Sequence, residues 1–256
     1  MITCPLCEKE VQSLHKRSHL VPEWMYRDCY DDNHKMINVK VNEKFINKRQ
    51  KGIYAEIICA DCEHVSQTYD RYGSIVLTSR TPDASEHKIV VKEDLEYYIN
   101  DQRQEYSLWK NIDFYKFQRF VFASVMRTHL AMKAKGEYLL IDKHFRKMRN
   151  IYMDEAVFDD WSYPILVSKN TDESTRNIIL PPFKNKHDGH YFIEFIGVGF
   201  SFRIYVSSHK KPDHVNSMCL SKSGQMYVIH IPFMESGTFK SIVQLWPTFS
   251  KHHSLD

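Results

Sequence analysis

Two cysteine pairs, Cys4-x-x-Cys7 and Cys59-x-x-Cys62, bracket the first part of this chain. Four thiolates in two such pairs are the ligand set of a closed, tetrahedral structural zinc site. Residues 8–58 separate the pairs, but the ligands need only meet in space. A closed site staples a module that has little core of its own and leaves no coordination position open for a reaction. Any chemistry must come from what the cysteines bring together. Ser18-His19-Leu20-Val21-Pro22 lies between the pairs, and Glu63 directly follows Cys62. The pairs, the histidine and the acid read as one unit. Asp70 is seven residues beyond Glu63, two turns along a helix and on the same face.

The elements that must position these residues follow from local pattern. Pro22 biases Val21 away from the helical region, so 18–21 should be extended, with a short helix from Glu23 to about Asp31. Alternation over 36–41 and the run Ile53-Tyr54-Ala55-Glu56-Ile57-Ile58 predict strands, the second delivering Cys59 and Cys62. From 61 to about 77 the pattern turns helical, with Val65, Tyr69, Tyr72 and Val76 as its apolar stripe. Beyond the break at Thr81-Pro82, a strand at 87–91 and a helix near 94–99 are expected. A buried helix follows over 114–132, then a basic amphipathic helix over 138–152. Past residue 160 the chain reads as strands (163–167, 177–180, 191–196, 200–206, 218–221 and 226–231) separated by glycine turns, with a last helix over 237–246. The expected fold class is α+β, in three parts: a zinc module (1–80), a helical region (81–160) and a mostly antiparallel β region with a terminal helix (161–256).

The 256 residues are 43% hydrophobic and 13% aromatic, enough for a folded core. No apolar run approaches the ~20 residues of a bilayer helix, and no signal-peptide pattern opens the chain. A cytoplasmic protein is expected, and in a reducing compartment close cysteine pairs mean metal more often than disulfide. Cys29 and Cys219 have no close cysteine partner and read as inert thiols. A net charge of +3 is too mild to indicate nucleic acid by itself. The charge is concentrated, however: Lys40, Lys44, Lys48, Arg49 and Lys51 crowd one stretch, and Lys133, Lys135, Lys143, Arg146, Lys147 and Arg149 another. Each run can track a phosphate backbone or simply solvate a face. Arg27 can contact a phosphate or pair with Asp28 or Asp31. There is no glycine-rich phosphate loop and no G-x-S-x-G, so no nucleotide cofactor and no serine-hydrolase elbow are expected.

The order Cys4-x-x-Cys7, Ser18-His19-x-x-Pro22, Cys59-x-x-Cys62-Glu63 resembles the HNH endonucleases of the ββα-metal fold, over about the first 75 residues. The resemblance implies an N-terminal ββα-metal module stapled by zinc. It implies that His19 is the general base and that Glu63 holds a catalytic divalent ion such as Mg2+. Asp70 and Ser18 are further candidate ligands, and Arg27, Lys44, Lys48, Arg49 and Lys51 are candidate nucleic-acid contacts. Ser18 stands where the family often has a metal-binding Asp, and Tyr54 stands where its middle Asn is sought. The implied substrate is nucleic acid, DNA ahead of RNA. Two other functions are compatible with the same residues. One is a catalytically degenerate zinc module that binds nucleic acid or a partner protein. The other is a bacterial host-defence effector whose β region docks a regulatory subunit.

Overall fold

The computed structural model describes residues 1–38, 47–78, 105–154, 162–207 and 210–236, together with Phe239. Lys40, Lys44, the expected strand at 87–91, the expected helix near 94–99 and nearly all of the expected helix 237–246 lie outside the described residues.

The chain is α+β. A tight hairpin of β1 (Ile2–Thr3) and β2 (Glu10–Val11) opens it. Next come β3 (Ser18–His19) and a 3₁₀ helix (Glu23–Cys29), then β4 (Met36–Asn38), β5 (Asn47–Arg49), β6 (Tyr54–Ala55) and the long helix α1 (Ala60–Thr78). A six-stranded mixed sheet forms the body. Its strands are β7 (Glu105–Trp109), β8 (Ile165–Asn170), β9 (Leu180–His187), β10 (His190–Gly197), β11 (Phe200–Tyr205) and β12 (Met226–Ile231), in the order β7-β12-β8-β11-β10-β9. All neighbours are antiparallel except β12 and β8. Helix α2 (Phe114–Lys133) lies against one face, where Phe117 and Phe120 meet Phe202, itself stacked on Phe195 at 4.4 Å. Helix α3 (Asp142–Tyr152) packs on α2, and the short α4 (Asp213–Met218) covers Leu166, Phe192 and Tyr205 on the opposite sheet face. No helix among the described residues is long and apolar enough to cross a membrane.

Several expectations change. The strand expected at 218–221 does not form: Met218 ends α4, the Cys219 N–H caps the Val215 carbonyl, and 219–221 are irregular. The region read as helical contributes β7 to the sheet edge. A single buried cluster runs from Cys4 through α1, α2 and α3 to Val228, so it crosses both expected part boundaries. Helix α1 buries Tyr72 and Val76 of the expected stripe, with Tyr69 packed on the same core, but Val65 is 44% exposed and Glu63, Ser66, Asp70 and Gly73 are buried as well. The helix buries a polar line because α2 and α3 supply partners for it. Ser66 Oγ is hydrogen-bonded to Tyr152 Oη at 2.8 Å, and Arg127 of α2 meets Asp70.

Gly73 explains how closely α1 and α2 approach. A Cβ on it would lie 2.5 Å from the Phe120 ring, which is fully buried. Glycine in a helix interior costs about 1 kcal/mol relative to alanine, so Gly73→Ala would ordinarily stabilise. Here the methyl must displace a packed ring, at a cost of roughly 1–3 kcal/mol. We expect Gly73→Ala to lower the urea midpoint of unfolding.

Candidate metal centre and adjoining cleft

The β1–β2 hairpin carries Cys4 and Cys7, and the start of α1 carries Cys59 and Cys62. Their four sulfurs all lie within 4.8 Å of one another. Cys4 and Cys62 sulfurs are 3.9 Å apart, and Cys7 and Cys59 sulfurs 3.8 Å. These are free thiols, far beyond the ~2.05 Å of a disulfide. A tetrahedron of thiolates at ~2.3 Å from zinc has edges of roughly 3.8 Å, so the cluster can hold a metal ion such as zinc. Burial pushes the Cys4 thiol up, but backbone N–H groups of Cys7, Cys59 and Leu6 outweigh it and bring it down to about 7. One of these donors is the Cys59 amide, 3.3 Å from Cys4 Sγ. Amides aimed at sulfur suit the thiolate that a metal needs. Arg149 of α3 clamps the hairpin from outside: Nε donates to the Leu6 carbonyl at 2.6 Å and the guanidinium pairs with Glu8 at 3.2 Å. The sequence placed Arg149 in a basic run, but it is buried and structural.

Strands β3 and β6 pair antiparallel, Ser18 opposite Ala55 and His19 opposite Tyr54. The Tyr54 ring meets the imidazole edge-on at 6.0 Å. The chain then passes through Pro22 into the 3₁₀ helix, and Glu23 returns to His19, with Oε2 2.7 Å from Nε2. Burial drives the His19 pKa below the usual histidine value, although Glu23, Glu63 and Asp70 pull it upward. The ring is therefore neutral near pH 7.

Behind His19 lies a group of buried polar side chains. Asp70 accepts both arms of the Arg127 guanidinium, at 2.8 and 3.0 Å. Burial pushes the Asp70 carboxyl up against the pull of that guanidinium. Arg127 stays charged, since burial is outweighed by the carboxylates of Asp70 and Glu63. The structure thus commits Asp70, expected as a divalent-ion ligand, to an ion pair. Ser18 Oγ, Glu63 Oε2 and Arg127 Nε are buried with no hydrogen-bond partner among the described residues. Unsatisfied buried polar atoms cost free energy, which a polar partner or an ion would recover.

A cleft of about 390 Å³ opens at His19, lined by Arg17, Glu23, His34, Gln50, Lys51 and Tyr54 as well. Of the expected nucleic-acid contacts, Lys51 lines this cleft. Lys48 and Arg49 sit on β5, and Arg27 is exposed at the end of the 3₁₀ helix. Asp28 faces Arg176 at 4.0 Å, and Asp31 accepts the Asn33 and Lys35 amides. Arg17 and Glu23 were missed in the sequence, and His34 reads there as polar filler. Arg17 sits in the turn before β3, and its guanidinium lies 5.9 Å from the Tyr54 ring centre.

No family model, curated protein or solved structure matches this chain. The site is therefore read from its own geometry.

Two outcomes follow. The purified protein should carry about one zinc per chain by elemental analysis, and Cys59→Ser should lose it and lower the melting temperature. Arg127→Met should cost roughly 3–5 kcal/mol in urea unfolding, because it strands a buried carboxylate. Arg127→Met with Asp70→Leu should cost clearly less than the two single changes summed.

Proposed function

We propose that this protein is a metal-dependent endonuclease of the HNH type that hydrolyses phosphodiester bonds of DNA, with RNA as the less favoured substrate. The observation that carries the reading is the cleft at the β3–β6 pair. A neutral His19 lines it with Arg17 and Lys51, and the same strand and the following helix carry two buried, unpartnered oxygens, Ser18 Oγ and Glu63 Oε2. The strand pair leading into a helix, with cysteines at both ends, supports the ββα-metal resemblance.

In this reading the four cysteines hold zinc as a staple. His19 takes a proton from the attacking water, for which it must begin neutral. Arg17 and Lys51 face the phosphate oxygens of the strand lying in the cleft. Glu63 would hold a divalent ion, since a buried carboxylate oxygen without a donor is an atom that a cation satisfies; Ser18 is a further ligand only by the resemblance. Such an ion supplies charge neutralisation at the phosphodiester and its leaving oxygen. Asp70 stands outside the ligand set and instead fixes Arg127 beneath it. A second reading, a zinc module that binds nucleic acid without cutting it, is favoured by that same commitment of Asp70, which leaves Glu63 as the remaining one of the two expected carboxylate ligands.

The two readings separate in a cleavage assay on plasmid DNA, single-stranded DNA and RNA with Mg2+ or Mn2+. The nuclease reading expects His19→Ala to lose on the order of 10²–10⁴-fold in rate, with zinc content and melting temperature unchanged. The binding reading expects no metal-dependent cleavage by wild type, and DNA affinity that survives His19→Ala and falls steeply with salt.

A further inference from the structure

We propose that Glu23, held in place by Tyr30, is the positioning residue that fixes the tautomer of His19 and so makes Nδ1 the ring atom that accepts the proton. The use of that proton in cleavage rests on the nuclease reading above; the tautomer itself does not.

The argument is one of donors and acceptors. An ionised carboxylate oxygen can only accept. A 2.7 Å contact between Glu23 Oε2 and His19 Nε2 therefore requires the hydrogen to sit on Nε2. A neutral imidazole carries one N–H, so Nδ1 keeps its lone pair. The second carboxylate oxygen is also engaged: Tyr30 Oη donates to Oε1 at 2.8 Å. Burial, and then Glu23 itself, raise the Tyr30 pKa, so the phenol stays protonated as a donor. With one donor on each oxygen, the carboxylate can neither rotate nor tilt without losing a bond.

The surroundings are built for this arrangement. Tyr30 stacks on His34 at 4.1 Å, which fixes the phenol from behind. Gly52 clears space on the other side: a Cβ there would lie 2.7 Å from Glu23 Oε2 and 2.6 Å from the buried Tyr26 ring. The 3₁₀ helix that begins with Glu23 is pinned by Trp24, whose Nε1 donates to the Asp70 carbonyl at 3.0 Å. When a proton passes from water to Nδ1, the ring becomes an imidazolium, and its new charge faces the Glu23 carboxylate through the Nε2–H. That bond strengthens as the charge develops, which is the condition for lowering a barrier rather than merely binding a substrate.

The test has two arms on the full-length, zinc-loaded protein. In the first, ¹⁵N NMR of histidine-labelled protein reads the His19 ring, assigned by difference from His19→Ala. Wild type should show a protonated Nε2 and an unprotonated Nδ1, and Glu23→Ala should lose this single-tautomer signature. Wild type with the proton on Nδ1 would overturn the proposal, as would a Glu23→Ala spectrum identical to wild type. In the second arm, metal-dependent plasmid cleavage should fall on the order of 10²-fold in Glu23→Ala, as expected when a reacting group is misplaced. Glu23→Gln, whose side-chain oxygen still accepts from Nε2, should recover part of the loss, and Tyr30→Phe should lose less than Glu23→Ala. Cleavage by Glu23→Ala at the wild-type rate while His19→Ala is inactive would overturn the positioning role. Cleavage by His19→Ala at the wild-type rate would overturn the nuclease reading and leave the tautomer to be decided by NMR.

Discussion

The N-terminal part of this protein depends on four sulfurs meeting in one place. The strands β3 and β6 beside the cleft are two residues long, too short for their own hydrogen bonds to fix a side chain. Register must come from the ends. Cys4 and Cys7 fix the hairpin before β3, and Cys59 and Cys62 fix the start of the helix after β6. With those two points joined, Ser18, His19 and Glu63 have few conformations left to explore. The metal ion that such a cluster can hold acts on the site only through this restriction of the chain.

A second constraint comes from the body. The buried line along α1 is polar, and polar burial is tolerable only where every partner is supplied. Arg127 answers Asp70, Tyr152 answers Ser66, and Trp24 answers the Asp70 carbonyl. Each of these partners stands at least 46 residues away along the chain. The polar floor of the site is thus assembled by tertiary contacts, while Ser18 Oγ, Glu63 Oε2 and Arg127 Nε have no partner among the described residues.

This division explains what could be read from the sequence. The cysteine cluster was legible because ligand type and spacing are local and restrictive. The long helices α1 and α2 and most body strands were legible from periodicity, which depends on neighbours in sequence. The inward face of α1 was legible only in part: Tyr72 and Val76 are buried as the stripe expects, but Val65 is exposed and the helix also buries Glu63 and Asp70, because an arginine on another helix pairs with one of them. Asp70 could not be told from a metal ligand, since a carboxylate on the right face serves either purpose until its partner is known. Glu23 was also hidden, although it lies four residues from His19. Its return across Pro22 depends on a turn geometry that no residue pattern announces. The strand expected at 218–221 failed for a simpler reason: a short apolar run fits a helix end as well as a strand.

The clamp between Arg149 and the cysteine hairpin bears on how this architecture could have arisen and changed. Arg149 reaches from the third long helix to the carbonyl of Leu6, between the two cysteines of the first pair. Together with Arg127 it makes the body a structural cofactor of the head. The head could not be exchanged as a cassette between proteins without carrying both arginines, or equivalents, in the new host.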